Sequence, residues 1–370
     1  MKENKAVGPN LKTYYYYTNK KADEQNVKGV IVVATGIEGT GAIYDEIGEY
    51  LDNKGYAMYA IDEWGYGKTG KLVKDSFKNW KKNGLHFASY NVHALSVLAK
   101  SKHPNTPVYL IGNDFGAMLS MYLIKEFPEV VDKVVTIGWG APRGQDFGFL
   151  FGSWIKKIFF YDSGVTKLSH KSKNKRFAFR FERGEKYAWL TSDNSQLKKI
   201  KDAGFIDEPG TVGHYYNYYK NKIKIPLFMR LKKCDRNTPI LFLSGDEDLL
   251  TKRGKTTNVL ANIYKRRKFN NVSYLSVAGR HEILFEKNRF ENMDIILEWL
   301  NDGEKQEDIS IRVNSTYTDI VEEPVKAEKA DTYVENVKVV DVEIKKTPNT
   351  LYELQEADDE LLINTNKESE

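Results

Sequence analysis

From Gly29 to Leu300, short apolar runs rich in β-branched residues alternate with segments whose apolar positions recur at helical spacing. Gly29-Val30-Ile31-Val32-Val33-Ala34 is apolar throughout, as a strand covered on both faces is, and Thr35-Gly36 ends it. Tyr44 to Lys54 predicts a helix, with Ile43, Ile47, Tyr50 and Leu51 on the apolar stripe and Gly55 in the C′ position. Tyr56 to Asp62 predicts the next strand, which runs into the glycine-rich turn Trp64-Gly65-Tyr66-Gly67. The alternation continues with a helix around Ser89 to Ser101, a strand at Pro107 to Ile111, a helix from Ala117 to Phe127 and a strand at Val131 to Ile137. It resumes with a strand at Pro239 to Ser244, a helix from Gly254 to Arg267, a strand at Val272 to Val277 and a helix from Phe290 to Leu300. This order predicts the α/β class, a mostly parallel central sheet with helices on both faces.

The rhythm fails from about Arg143 to Cys234, where the chain is basic and aromatic and shows only short helical pieces such as Lys186 to Asp202. Residues 143–235 are therefore expected to form an inserted helical lid over the top of the sheet. Beyond Asn301 charged and polar residues dominate, with weak alternation at Ile309 to Val313 and Val337 to Ile344. The expected plan is one domain over 1–301 and an acidic, disordered or loosely attached tail over 302–370. No internal repeat is visible.

Charge changes this picture in one respect. The formal net charge is +5, but Asp302 to Glu370 carries 19 acidic against 8 basic residues, which leaves the preceding part at about +16. Such a body is drawn to anionic surfaces, so transient contact with a membrane surface is a candidate interaction. Nucleic acid is not expected as a partner, because the basic residues follow no recognised binding motif. Lys171-Ser172-Lys173-Asn174-Lys175-Arg176 fits either a phosphate contact or a solvated loop. The 23 Tyr and 18 Phe fit either an aromatic pocket or a compositional bias toward Lys, Asn, Ile and Tyr. The single cysteine, Cys234, excludes an internal disulfide framework. Met1 to Lys12 is polar and lacks the apolar core of a signal peptide, and no apolar run is long enough to span a bilayer, so a cytoplasmic location is expected.

Three segments carry candidate chemistry. Gly112-Asn113-Asp114-Phe115-Gly116 fits G-x-nucleophile-x-G between a predicted strand and a predicted helix, where small flanking residues allow a strained turn to lift one side chain above the sheet. A tight turn with Asp114 capping the helix is the plainer alternative. Asp248, in Ser244-Gly245-Asp246-Glu247-Asp248, and His281, in Ala278-Gly279-Arg280-His281-Glu282, each follow a predicted strand directly. Their order is nucleophile, acid, histidine. Asp246 competes with Asp248 for the acid position, or caps the following turn. No metal-ligand cluster, P-loop or dinucleotide fingerprint occurs, so no metal and no cofactor is expected.

These segments resemble the monoacylglycerol-lipase and lysophospholipase branch of the α/β hydrolases, the serine aminopeptidase S33 type. Thr35-Gly36-Ile37-Glu38-Gly39-Thr40-Gly41-Ala42-Ile43-Tyr44 stands where the family has His-Gly and a loop ending near a Tyr, and Asp62-Glu63-Trp64-Gly65-Tyr66-Gly67-Lys68-Thr69 is similar to its Asp-x-Arg-Gly-His-Gly-x-Ser segment. Ser244 to Asp248 is similar to its acid loop, Ala278 to Glu286 to its histidine segment, and Trp189-Leu190-Thr191-Ser192-Asp193 to part of its lid. The resemblance runs from about Gly29 to Leu300. It implies the α/β-hydrolase fold with a lid, with Asp248 as the acid and His281 as the base.

The departures fall where the chemistry belongs: the family's serine is Asp114, its oxyanion-loop His is Thr35, and its Arg-Gly-His-Gly is Trp64-Gly65-Tyr66-Gly67. A carboxylate is already an anion at neutral pH and attacks carbon without a base. Haloalkane dehalogenases and epoxide hydrolases also read Gly-x-Asp at this turn, but they continue with Trp where this chain has Phe115. Three readings stay open. The first is a hydrolase of an apolar ester, a lipid or a reactive-carbon compound with Asp114 as nucleophile, His281 as base and Asp248 orienting it; the N–H groups of Phe115 and Ile37, in a loop shared with Thr35 and Gly36, then hold developing negative charge. The second is a degenerate hydrolase that binds lipid or a partner without turnover, its imidazole held protonated between carboxylates. The third is a membrane-surface binder relying on the basic lid. Tyr215-Tyr216-Asn217-Tyr218-Tyr219 fits a substrate tunnel or lid-on-core packing, and His214 has no assigned role.

Overall fold

The sheet is built in the order β8-β7-β6-β5-β3-β4-β2-β1-β9. Its strands are β1 (Lys2–Val7), β2 (Thr13–Thr18), β3 (Gly29–Ala34), β4 (Tyr56–Ile61), β5 (Val108–Asn113), β6 (Lys133–Ile137), β7 (Ile240–Gly245), β8 (Val272–Val277) and the two-residue β9 (Val339–Val340). Strands β3 to β8 run parallel to one another, whereas β2 is antiparallel to both β4 and β1. The computed structural model describes residues 1–8, 13–36, 39–72, 84–160, 180–181, 185–204, 206, 210–230, 234–302 and 339–340. The strongly acidic tail and Lys171 to Arg176 lie outside these residues, apart from Val339 and Val340, which pair in parallel with β1.

Strands β3, β4, β5 and β7 are buried along their whole length, which is why their sequences are unbroken apolar runs rather than alternating ones. On one face Ile31, Val33, Met58, Ile111, Val135 and Leu241 pack with Ile47 and Leu51 of α1 (Asp45–Lys54) and with Met293 and Ile296 of α9 (Arg289–Asp302). The opposite face is covered by α3 (Gly84–Lys102), α4 (Phe115–Glu126) and α8 (Lys255–Arg266), where Tyr264 lies 5.4 Å from Phe242. Gly55 ends α1 at φ 88°, a backbone conformation that glycine adopts at little cost.

The N-terminal segment corrects the sequence reading, which found no strand before Gly29. Tyr14 to Tyr17 of β2 are all buried, and Tyr16 stacks on Tyr59 of β4 at 6.3 Å. Four consecutive tyrosines show no polar–apolar alternation, so the pleat left no trace in the sequence.

Residues 143–235 contain more helix than the short pieces expected. Two helices of 17 residues, α5 (Gly144–Phe160) and α7 (Val212–Phe228), pack on each other, with α6 (Asn194–Asp202) between them in the chain. Asp146 of α5 meets Lys222 of α7 and Phe149 meets Tyr219, so the two helices run antiparallel. Helix α5 carries a polar side at helical spacing in Asp146, Ser153 and Lys157, which the sequence reading passed over, whereas α7 opens on an aromatic run and contains Pro226, which blurs its 3.6-residue stripe. The predicted helix at Lys186 to Asp202 begins only at Asn194, because the Asp193 carboxylate caps it by accepting the N–H groups of Ser195 (2.9 Å) and Gln196 (3.3 Å).

Asp62 fixes the turn that leaves β4. Its carboxylate accepts the Thr40 hydroxyl and the N–H groups of Gly41 (2.8 Å) and Lys68 (2.6 Å), while α2 (Gly67–Leu72) starts with Gly67 at φ 55° against it. Burial lifts this carboxyl to about 6, against the three hydrogen bonds that favour the anion. The Asp62→Asn variant turns an amide donor toward these donors, and an unfolding free energy lower by about 2 kcal/mol or more in urea denaturation is the expected result.

Candidate active site at the carboxyl ends of the strands

Strand β5 delivers Asp114 into a turn with φ 44° and ψ −101°, and α4 begins at the next residue. A non-glycine residue in this region carries strain of about 1–3 kcal/mol. The turn is held by the Asp114 N–H donating to the Ile137 carbonyl of β6 (2.9 Å) and by two glycines. A Cβ on Gly116 would run into the Ala34 carbonyl of β3, and one on Gly112 into the Gly116 carbonyl. The Asp114 side chain forms no cap hydrogen bond with α4, so the strain does not serve helix capping. The carboxylate keeps some exposure and, among the described residues, accepts no side-chain hydrogen bond.

Asp248 lies just beyond β7, and His281 beyond β8, on the same rim. The Asp248 Oδ2 is 3.0 Å from Nδ1 of His281, and both side chains are essentially fully buried. The other Asp248 oxygen accepts the Leu250 N–H (2.8 Å), which fixes the carboxylate. Asp246, the competing acid, accepts the Gly279 N–H (3.1 Å) instead and caps that turn. A Cβ on Gly138, past the end of β6, would lie 2.9 Å from Cε1 of His281, so the glycine makes room for the ring. The Trp189 ring centroid is 5.4 Å away on another side, and Glu282 donates its N–H to the Leu190 carbonyl (2.8 Å), which ties the histidine turn to residues 187–193. Arg280 adds a bond from Nη1 to the Ala188 carbonyl (2.7 Å).

Burial works against a charged His281, but Asp248 outweighs it, with the Asp114 and Glu282 carboxylates adding to the effect, and the imidazole is raised to about 9. Glu282 accepts from the Asn113 side-chain amide on the residue before Asp114. Glu63 is fully buried, and burial together with the adjacent Asp62 carries its carboxyl well above the carboxylate range.

Of the residues expected to stabilise an oxyanion, Gly36 lies beside the elbow, where a Cβ would be 3.5 Å from that of Asp114. Thr35 is buried with its hydroxyl donating to the Ile61 carbonyl (3.1 Å), so its side chain faces the sheet. Phe115 buries its ring and contributes its backbone at the start of α4. Ile37 lies outside the described residues.

The lid gives partners to His214 and the tyrosine run and adds Lys222, which the sequence did not mark. His214, Tyr218 and Lys222 are spaced i, i+4, i+8 along α7 and so share one face. His214 Nε2 is 2.7 Å from the hydroxyl of Tyr66, which lies in the turn Trp64-Gly65-Tyr66-Gly67. Lys222 Nζ is 3.1 Å from the buried Asp146 carboxylate. Tyr218 lies between them, its hydroxyl held up first by burial and then by the charge of Asp114, and Lys222 also senses that charge. The helix that carries the Tyr215–Tyr219 run packs on α4, and Tyr218 and Tyr219 both feel the charge of Asp114.

Fold and site together define an α/β hydrolase. The sequence matches the serine aminopeptidase S33 family model over residues 25–288, and the chain belongs to that family. It is similar to a monoglyceride lipase homologue of monkeypox virus, 23% identical over 128 residues, which are 34% of this chain and 44% of the viral protein. The chain thus spans less than half the length of that relative. Among solved structures it is similar to a thermostable carboxyl esterase from Bacillus coagulans (17% identity, TM-score 0.68, covering 81% of this chain and 98% of that one). It is also similar to a monoglyceride lipase from Saccharomyces cerevisiae (14% identity, TM-score 0.57, covering 78% and 92%). No helix among the described residues is long and apolar enough to cross a membrane.

The folded value of His281 lies above the ordinary 6.5, so its ion pair contributes stability that is fully present below about pH 6.5 and is lost as the pH rises through about 9. The full difference is roughly 3 kcal/mol. Urea denaturation at a series of pH values is expected to show wild-type stability falling over that window, and the His281→Gln variant to lack the fall.

Proposed function

We propose that the protein is a hydrolase of small apolar ester or lipid-like substrates in which Asp114 is the nucleophile, His281 transfers protons and Asp248 orients the imidazole. The observation that carries this reading is the strained backbone of Asp114, which lifts a carboxylate with no hydrogen bond among the described residues onto the rim that holds the Asp248–His281 pair. The names of the relatives, lipases and esterases, support the substrate class.

A carboxylate nucleophile needs no proton removed, which suits a histidine that already holds one. In the first step an Asp114 oxygen attacks the electrophilic carbon, the bond to the leaving oxygen breaks, and that oxygen departs with the proton from Nε2 of His281. Asp114 is then acylated or alkylated and neutral, so one of the charges that held the proton on His281 is gone. In the second step the neutral imidazole takes a proton from water, and the hydroxide attacks the covalent intermediate. Cleavage returns the Asp114 carboxylate and the protonated imidazole. In this reading Tyr218, whose hydroxyl feels the charge of Asp114, donates a hydrogen bond to the oxygen on which charge develops.

A second reading is favoured by the same raised imidazole: two carboxylates and one imidazolium form a stable ionic cluster in a protein that binds its lipid or partner without turnover. The two readings part on one experiment. With short-chain ester, halide and epoxide substrates, the His281→Gln variant is expected to accumulate a covalent adduct on Asp114, seen as a mass increase on that peptide, and the Asp114→Ala variant to show none. Absence of both turnover and adduct would leave the binding reading.

The lid also supports contact with a lipid surface. Helix α5 exposes Phe149, Phe151 (62% exposed), Trp154, Ile158, Phe159 (78%) and Phe160, next to Lys156 and Lys157. So large an apolar face, flanked by cations, suits insertion at the headgroup boundary of a membrane. Replacing Phe151 and Phe159 by Ser is expected to weaken cosedimentation with phosphatidylcholine vesicles by about tenfold or more, at about 0.8 kcal/mol for each methylene-sized unit withdrawn.

A further inference from the structure

A second concave site lies where α7 ends and the chain returns to the core. It is shallow and open to solvent, has a volume of about 390 Å³, and is lined by eight residues, among them Leu227, Phe228, Arg230, Arg236, Arg267 and Lys268. Five of these eight residues are cations and none is acidic. Among the described residues none of the five is ion-paired with a carboxylate, and the neighbouring Asp235 directs its carboxylate to the Asn237 N–H (2.9 Å).

Two of the cations are built into the floor. Arg267 donates from Nη1 to the Pro226 carbonyl (2.6 Å) and from Nη2 to the Met229 carbonyl, and Arg236 donates from Nη1 to the Arg267 carbonyl (2.7 Å). The plain explanation of such a cluster is compensation of helix C-termini, since α7 and α8 both end here. Its magnitude is too small: two helix termini supply about one negative charge between them, against five positive ones. Arg230 and Lys268, whose side chains form no hydrogen bond among the described residues, add nothing to that compensation. Lys268 moreover holds φ 66° just past α8, a position that favours glycine.

We propose that this pocket is an anion site that takes the phosphate of a phospholipid headgroup. Guanidinium groups present paired donors to phosphate oxygens, and a concave cluster of uncompensated cations concentrates anions near it. The lipid source is favoured by the rim: Leu227 and Phe228 stand exposed beside the cations, the latter at 67%, so an acyl chain has an apolar surface next to the site that holds its headgroup. The site is separate from Asp114 and does not depend on the catalytic reading.

The test uses the full chain, inorganic phosphate, and two vesicle preparations: pure phosphatidylcholine, and an equal mixture with phosphatidylglycerol. The probe variant is Arg230→Gln with Lys268→Gln, which removes two cations while leaving the Arg236 and Arg267 floor intact, and its melting temperature checks the fold. Phosphate is expected to give a saturable calorimetric signal with the wild type that is lost in the variant. The wild type is expected to bind the mixed vesicles roughly tenfold or more tightly than the neutral ones, an increment the variant lacks and phosphate competes away. A preference for anionic vesicles that survives in the folded variant, or a wild type indifferent to both phosphate and headgroup, would overturn the proposal. Phosphate binding without any vesicle preference would overturn the lipid assignment and give the pocket to a soluble phosphate compound.

Discussion

The close approach of three backbone segments at one point carries the rest of the structure. Strand β3 runs so near the start of α4 that only a hydrogen atom fits at Gly116, and β5 is pressed equally hard at Gly112. This contact bends the chain at Asp114 into a backbone conformation that residues with a Cβ avoid, and hydrogen bonding to β6 keeps it there. The side chain has no other direction to take than out over the sheet. Everything assigned to the site follows from a steric constraint among main-chain atoms that lie beneath it.

The electrostatics of the rim follow from burial. Asp248 and His281 are withdrawn from water together, and the imidazole keeps its proton because the carboxylate beside it is held in place by the Leu250 N–H. In the serine arrangement such a proton would block catalysis, since the histidine must accept one first. With an aspartate at the elbow the requirement is reversed, and a protonated resting imidazole fits the order of events. An aspartate at the elbow and the raised imidazole are thus consistent with each other, and they are equally consistent with an inert ionic cluster.

Much of the parallel core could be read from the sequence because strands buried on both faces leave unbroken apolar runs, and β3 has the bounds that its residues suggested. The partly buried edge strand β8 also has the bounds read for it, from its Val, Tyr and Leu interspersed with Ser. The positions of Asp114, Asp248 and His281 at strand ends were legible for the same reason. Strands β1 and β2 were not, because Asn4 is buried in one and four tyrosines stand in a row in the other. Of the long lid helices, α7 was hidden by its aromatic run and Pro226, whereas the polar stripe Asp146, Ser153, Lys157 of α5 was there to be read. The pairs Tyr66–His214 and Asp146–Lys222 join residues 148 and 76 positions apart, and no local pattern announces a contact of that kind. The cations around Arg267 come from two stretches that only the return of α7 to the core brings together.

The hydrogen bond between Tyr66 and His214 has one more consequence. Tyr66 belongs to the same turn that Asp62 fixes, and His214 begins the helix that packs on α4. Any swing of that helix away from the sheet must break this bond between two buried side chains. Movement of that helix and the resting arrangement of the core turn are therefore mechanically linked, with an energetic threshold between them.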